Sequence, residues 1–154
     1  MKQPEGFRDR GVRALVHLHE RELRSCLATW RRAVAWGVAL PVGSGHHASP
    51  NTLLRHVLAA AAGYLRWVAA KLELADAAVD AVPEPDAIEE QAEAYLEHVL
   101  ERWREVLREV PGERLGETHR SDWGEDFTIE SMLEHAVVHP MRHALQLEEL
   151  MTPS

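Results

Sequence analysis

The stretch 128–150, TIESMLEHAVVHPMRHALQLEEL, decides the fold class, because it carries a helical pattern and three histidines at four-residue spacing. Its first residue is a threonine, which caps helix starts well, and apolar residues then recur every three or four positions, so we expect a helix over about 128–151. Residues four apart on a helix are separated by about 40° around the axis and ~6 Å along it. The pattern therefore predicts one stripe formed by His135, His139 and His143.

Two neighbouring imidazoles of this stripe can bind one cation, whereas its two ends are ~12 Å apart and cannot share one. A third protein ligand must therefore come from another part of the chain. Pro140 lies between His139 and His143 and lacks the amide that would bond to the carbonyl of Ala136, so we expect a kink there. The alternative for the stripe is an exposed polar helix face that binds nothing.

His56 is the best candidate for the third ligand, because it lies within a second helix predicted over about 50–80. Ser49 and Pro50 are a good start for that helix, since serine caps and proline needs no amide partner in the first turn. The helical neighbours of His56 are Ala59, Ala60, Gly63 and Trp67. The small ones leave space over the imidazole and Trp67 could wall it off. The alternative is a core histidine satisfied by one hydrogen bond.

Two more helices are predicted by the same periodicity, at about 8–38 and about 85–110. No stretch alternates apolar and polar residues convincingly enough for a strand. The segment 111–127, PGERLGETHRSDWGEDF, is long for a structureless connection, so we expect a lid or pocket rim with Trp123 as its aromatic residue. Four amphipathic helices in a chain of this length predict a single all-α domain over residues 1–154, a four-helix bundle.

The remaining histidines and the single cysteine have simpler interpretations. His17 and His19 are two apart, point about 160° away from each other on a helix, and are expected at the surface. Solvent-exposed positions are also expected for His98, on the polar side of the third helix, and for three loop histidines that could otherwise lend a ligand: His46, His47 and His119. Cys26 is expected to be a small buried hydrophobe.

Composition limits the class of partner. The formal net charge is −8, from 25 acidic and 17 basic side chains, and the arginines are interleaved with glutamates, which argues against binding to nucleic acid phosphates. No stretch approaches the ~20 apolar residues that span a bilayer. We therefore expect a cytoplasmic protein with a small-molecule substrate, no nucleic acid and no membrane partner. A homodimer is a candidate assembly.

With His56 in SPNTLLRHVLAAAAGYLRWV and the HxxxHxxQ pattern of His139, His143 and Gln146, the chain resembles the DinB/YfiT-like superfamily. That family is a four-helix bundle with one metal-binding histidine in its second helix and two in its last. Carried over by position, the resemblance implies a metal site of His56, His139 and His143, with Gln146 as a supporting residue and His135 outside it. The metal expected for imidazole ligands is zinc, nickel or iron.

The resemblance further implies an enzyme that uses a low-molecular-weight thiol as co-substrate, such as mycothiol or bacillithiol, with the metal activating the thiol. An alternative is a metal-dependent hydrolase, in which Glu134, Asp122, Glu125 or Asp126 acts as base. HAVVH is not the zincin protease motif, because Ala136 stands where that motif has its glutamate. A third hypothesis is a non-catalytic, stress-associated metal-binding protein.

Overall fold

The computed structural model describes residues 6–41 and 48–152, and the described chain contains four long helices. These are α1 (Arg10–Trp36), α2 (Pro50–Lys71), α3 (Ile88–Leu107) and α4 (Ile129–Met151). Helix α1 packs most extensively on α4 and also on α3, while α2 packs on α3 and α4 and touches α1 less. The order around the bundle is therefore α1, α4, α2, α3, and the predicted four-helix bundle is confirmed. None of these helices is long and apolar enough to span a membrane.

The helix starts follow the expected capping chemistry. The Ser49 hydroxyl accepts the amide hydrogen of Thr52 at 3.1 Å, and Pro50 occupies the first turn of α2. The Thr128 hydroxyl likewise accepts from the amide of Ser131 at 2.9 Å, which places the start of α4 within one residue of the prediction. Each cap satisfies a backbone amide that has no partner inside the helix.

Helix α2 ends at Lys71, so the prediction that it continues to about residue 80 is wrong. The amides of Glu73 and Leu74 turn back to the carbonyls of Ala70 and Ala69, at 3.1 and 2.8 Å, and Glu73 has a φ of 54°. This is a Schellman turn, which usually places glycine at the left-handed position. A glutamate there gives no sequence signal, so the end of the helix could not be read from residue types.

The 16 residues between α2 and α3, which run from 72 to 87, form an ordered connection rather than helix. Side chains of the neighbouring helices satisfy its carbonyl groups. The Arg102 guanidinium donates to the carbonyl of Ala77 at 2.8 Å, and the Tyr95 hydroxyl donates to that of Asp80 at 2.8 Å. These hydrogen bonds satisfy carbonyl groups that have no backbone partner outside a helix or a sheet.

The segment before α4 contains regular structure, so the expectation of no strand is wrong there. It forms a 3₁₀ turn at Gly112–Gly116, then β1 (Thr118–Arg120) and β2 (Asp126–Thr128), which pair antiparallel with His119 opposite Phe127. Three-residue strands are too short to show an alternating pattern in the sequence. The hairpin is tied to α2, because the Trp67 indole donates to the carbonyl of Arg120 at 3.1 Å.

Cys26 and His19 of α1 are both buried in the structure, and the sequence predicted burial for only one of them. Cys26 is buried as predicted, and burial raises the pKa of its thiol to about 12. His19 is fully buried, so its expected surface position is wrong, whereas His17 is exposed. The His19 ring stacks on Trp103 with centroids 3.8 Å apart, and neither ring nitrogen has a hydrogen-bond partner among the described residues. The bundle core therefore encloses a neutral imidazole.

Acid is expected to destabilise the fold through His19. Burial lowers its folded-state pKa to about 3 from 6.5, so the unfolded chain binds the proton more tightly. The stability contributed by the neutral ring is complete above about pH 6.5 and is lost as the pH falls toward 3, by about 3 kcal/mol at pH 4. Urea unfolding of His19→Leu at pH 7.5 and pH 4 should show a smaller acid loss than the unmodified protein by about that amount.

His17→Leu is the matched control, since His17 is exposed two residues away on the same helix. It should keep the acid sensitivity of the unmodified protein. If His19→Leu lost stability in parallel with His17→Leu between these pH values, a buried neutral His19 would be ruled out as the cause.

Candidate metal centre

Three imidazoles meet in the groove between α2 and α4. His56 comes from α2, and His139 and His143 come from successive turns of α4. One ring nitrogen from each can be chosen so that all three lie within 4.8 Å of one another, and the three side chains are partly buried. The ring planes are steeply inclined to one another, at 60° to 84°, with centroids 4.7 to 5.2 Å apart. The rings thus surround a common point instead of stacking.

The spacing of the nitrogens fits a small divalent cation. The Nε2 atoms of His56 and His139 are 3.1 Å apart. Two nitrogens bound to one zinc ion at ~2.0–2.1 Å with a tetrahedral angle are about 3.3 Å apart. Very little movement is therefore needed for both rings to share an ion. The three-histidine cluster could hold a divalent metal, and three protein ligands leave coordination positions open for another molecule.

Gln146 orients one of these rings. Its side-chain Oε1 lies 3.1 Å from Nδ1 of His143. Because an amide oxygen only accepts, this contact is a hydrogen bond in the tautomer that carries the proton on Nδ1, and that tautomer leaves Nε2 with the lone pair that a metal ligand needs. A hydrogen bond of this kind from behind the ring is the usual way in which proteins fix the tautomer of a ligating histidine.

The cluster also favours uncharged imidazole. The pKa of His139 is lowered to about 3, first because burial disfavours the charged ring and then because of the neighbouring His143, His56 and His135 and the positive charge of Arg142. Neutral imidazole is the form that binds metal. The low pKa therefore leaves the His139 ligand atom available at neutral pH without competition from protons.

The positions of these rings depend on the antiparallel packing of α2 and α4. Residues later in α2 meet residues earlier in α4: His56 faces His139 and His143, whereas Trp67 shares a pocket with Met132. Pro140 lies inside α4, which remains helical on both sides of it, and the kink expected there stays a prediction. The register of these two helices determines which histidines of the α4 stripe meet His56.

His135 lies outside the three-ring cluster. Its ring has edge contacts with Tyr64 and Phe127, with centroids 5.3 and 5.7 Å apart, and a tilted contact with Trp123 at 5.6 Å. Burial, and secondarily the charge of Arg142, lowers its pKa. The stripe therefore divides, with two histidines in the cluster and the third in an aromatic group beside it.

His135→Ala is expected to keep its bound metal. The substitution removes none of the three nitrogen donors, so the change in metal affinity should stay below the ~10-fold effect typical of residues that support a ligand. Elemental analysis of the purified variant, followed by competition with a chelator, measures this. If His135→Ala lost metal as completely as His143→Ala, the ligand pair on α4 would instead be His135 and His139.

A small pocket lies next to the cluster, one to three turns further along α2. It has a volume of about 140 Å³. Its lining residues are Ala60, Gly63, Tyr64, Trp67, Asp122, Trp123 and Met132. Tyr64 connects the two features, because its ring lines the pocket and its centroid is 5.8 Å from that of His139. Trp67 and Trp123 both line this pocket, as expected, but His56 does not, and the role of Trp123 as a lid stays a prediction.

Sequence reasoning missed Tyr64, the residue that joins pocket and cluster. It follows His56 by eight positions, which is about 80° around the helix. Its side chain therefore starts in a direction further from that of His56 than those of the helical neighbours considered from the sequence. The available signal was an aromatic residue two turns beyond the ligand. Met132 was also missed, since its place opposite α2 depends on how the helices pack.

Among the described residues, the remaining histidines and the acids named from the sequence are not part of the three-histidine cluster. His98 accepts the amide hydrogen of Asp80 at 3.0 Å, and His119 lies 3.3 Å from Glu117 with its ring near Trp67. His46 and His47 lie outside the described residues. The four acids that could act as the base of a hydrolase are all exposed. Only Asp122 among them lines the pocket; the others are Glu134, Glu125 and Asp126.

Comparison with known proteins adds a family assignment. A family model described as the DinB superfamily matches residues 20–147, a segment that includes all three clustered histidines and Gln146. No curated protein and no solved structure shows a significant match to this chain.

Proposed function

The chain belongs to the DinB superfamily, and from this premise we propose that it is a metal-dependent enzyme that transfers a low-molecular-weight thiol to a small electrophile. The observation that carries the proposal is the convergence of three imidazoles, with ligand atoms within 4.8 Å, beside an apolar pocket. Many metal sites with three protein ligands and open positions are catalytic, whereas structural zinc sites are closed by four protein ligands.

His56, His139 and His143 would hold the ion, and Gln146 would keep the His143 ring in its ligating tautomer. Imidazole donors suit zinc, nickel or iron. Once bound, such an ion supplies a Lewis acid that lowers the pKa of a thiol or of water. In the proposed reaction the thiol sulfur bonds to the electrophilic carbon, the leaving group departs with its bonding electrons, and the thiol proton passes to solvent.

The protein's own contribution is to position the electrophile and exclude water. Tyr64 lines the pocket and is in ring contact with His139 of the cluster. A molecule in the pocket is therefore one side chain away from the cluster. Burial raises the pKa of the Tyr64 hydroxyl, so at neutral pH this group keeps its proton and can donate a hydrogen bond. Holding two reactants side by side is a large part of the catalytic effect that such a site can provide.

A second candidate function is a metal-dependent hydrolase. The observation that favours it is Asp122, an exposed carboxylate that lines the pocket and could accept a proton from water during cleavage of an ester or amide. This alternative uses the same three ligands and needs no thiol.

One set of assays on the purified protein separates these functions. Elemental analysis gives the metal content, and thiol consumption with an alkyl or aryl halide tests the transferase. Ester and amide cleavage without thiol tests the hydrolase. Metal-dependent thiol consumption supports the proposal, cleavage without thiol replaces it with the hydrolase, and a bound metal with neither activity indicates a metal-binding protein without turnover.

A further inference from the structure

We call the pocket beside the cluster the aromatic pocket. Three aromatic side chains line it: Tyr64, Trp67 and Trp123. The rest of the wall is apolar, apart from Asp122. Two of the rings are held in place, Trp67 by its hydrogen bond to the Arg120 carbonyl and Trp123 by ring contacts with Phe127 and His135. The walls are thus formed before any ligand binds, which lowers the entropic cost of binding.

Gly63 is the most informative residue of this pocket. It lies in the middle of α2, where glycine weakens a helix relative to alanine. A Cβ atom added at this position would meet no atom within 4 Å, so neither close packing nor backbone conformation requires glycine. The one evident consequence of glycine here is that the aromatic pocket stays open on the side of α2.

The exposure of Trp123 at the rim also indicates that the aromatic pocket binds a ligand. Trp123 is 50% exposed, whereas Trp67, which lines the same pocket, is buried. An exposed tryptophan at the mouth of an apolar pocket is typical of a surface that a ligand covers. A larger hollow of about 430 Å³ between the ends of α1 and α4 also has an exposed tryptophan in its lining, Trp36, but it has no wall of three rings and Tyr64 does not line it.

The size of the aromatic pocket limits what fits. Its volume is about 140 Å³. An apolar cavity of about 150 Å³ in a protein interior is known to bind benzene. The walls are flat rings and a methionine, which pack well against another ring. One aromatic ring, or a flat apolar group of the same size, matches both the volume and the shape.

We infer that the aromatic pocket binds a single aromatic ring carried by the electrophile, and that Gly63 determines the size of ring accepted. The inference rests on the proposed function for the identification of the ring as part of an electrophile. In the reaction of a benzyl halide, the thiol sulfur bonds to the benzylic carbon, the halide leaves with the bonding electrons, and the thiol proton passes to solvent. In this arrangement the ring lies in the pocket and the reacting carbon lies on the side of Tyr64, the lining residue that is in ring contact with His139.

Ring binding can be measured without turnover, by ¹⁹F NMR titration of 4-fluorobenzyl alcohol into the protein as purified. Saturable binding is expected. Gly63→Leu should weaken it at least about tenfold, because the new side chain occupies the pocket. Ala70→Leu is the matched control: it adds the same side chain to the same helix at an exposed position that does not line the pocket. Circular dichroism checks that both variants remain helical.

A second variant tests the opposite wall. Trp123→Ala removes a half-exposed side chain, so the fold should tolerate it, and ring binding should again weaken about tenfold. Absence of saturable binding by the unmodified protein would overturn the inference. So would unchanged affinity in folded Gly63→Leu or in Trp123→Ala.

Turnover distinguishes this inference from the function on which it rests. With a thiol present, Gly63→Leu should lower kcat/KM for 4-nitrobenzyl chloride about tenfold more than it lowers that for iodoacetamide, which has no ring, whereas the control Ala70→Leu should change neither. Ring binding without any thiol transfer would overturn the proposed function and support the pocket. Thiol transfer with equal selectivity in both proteins would overturn the assignment of the pocket and support the function.

Discussion

Replacing His56 with alanine is expected to remove nearly all of the bound metal while leaving a helical protein. His56 is the one member of the cluster that α2 supplies, and its Nε2 lies 3.1 Å from that of His139. Loss of a residue that only supports a ligand costs about 10–100-fold in affinity, so loss of a ligand itself should exceed about 100-fold. The fold should persist because the ring is only partly buried and alanine favours helix. Elemental analysis and circular dichroism measure the two parts.

Graded variants make this test specific. His139→Ala and His143→Ala should behave like His56→Ala, whereas Gln146→Ala removes the hydrogen bond behind His143 and should cost the smaller, ~10–100-fold effect. His98→Ala is the control, since that ring hydrogen-bonds to the connection before α3 and is not among the three that converge. Full metal retention in His56→Ala would exclude the three-histidine site.

Removing the metal is expected to abolish thiol transfer, and restoring it should bring the activity back. The proposed reaction needs a thiolate, and a free thiol with a pKa of ~8.5 is only slightly ionised at neutral pH. Rates of thiol consumption with 4-nitrobenzyl chloride, measured before chelation, after it and after metal return, give the effect directly. The rate should also rise through an apparent thiol pKa below ~8.5, since a bound divalent ion lowers it.

Sustained turnover by the metal-free protein would contradict every metal-based mechanism. Cys26 cannot replace the external thiol, because it is buried in α1 and burial raises its pKa to about 12. Ester cleavage that is lost on chelation and proceeds without thiol would favour the hydrolase. Trp123→Ala leaves the cluster intact and removes one of the three pocket rings, so it should keep its metal and thereby separates metal loss from loss of substrate binding.

Much of the fold could be predicted from local sequence. The starts of α2 and α4 follow from Ser49 and Thr128, and the helices themselves from apolar residues that recur every three or four positions. The end of α2 could not, because a glutamate occupies the left-handed position that glycine usually marks. The short hairpin was missed for a similar reason: its three-residue strands carry too little pattern.

The candidate site could likewise be predicted only in part from local sequence. The sequence by itself determined that three histidines form one stripe on the last helix and that two adjacent ones could share a cation with a histidine from elsewhere. The resemblance to the DinB/YfiT-like superfamily then indicated His56, His139 and His143, and the structure places these three rings together. Their geometry depends on the register of α2 against α4.

Only the tertiary structure decided what surrounds each of these rings. His19 was expected at the surface together with His17, although the two point to nearly opposite sides of α1, and the packing of α1 on α3 buries His19 against Trp103. Tyr64 joins the cluster to the aromatic pocket only because α2 and α4 pack antiparallel. The physical reason is common to both: helical periodicity and capping are local interactions, whereas burial and contact between helices depend on residues far apart in the chain.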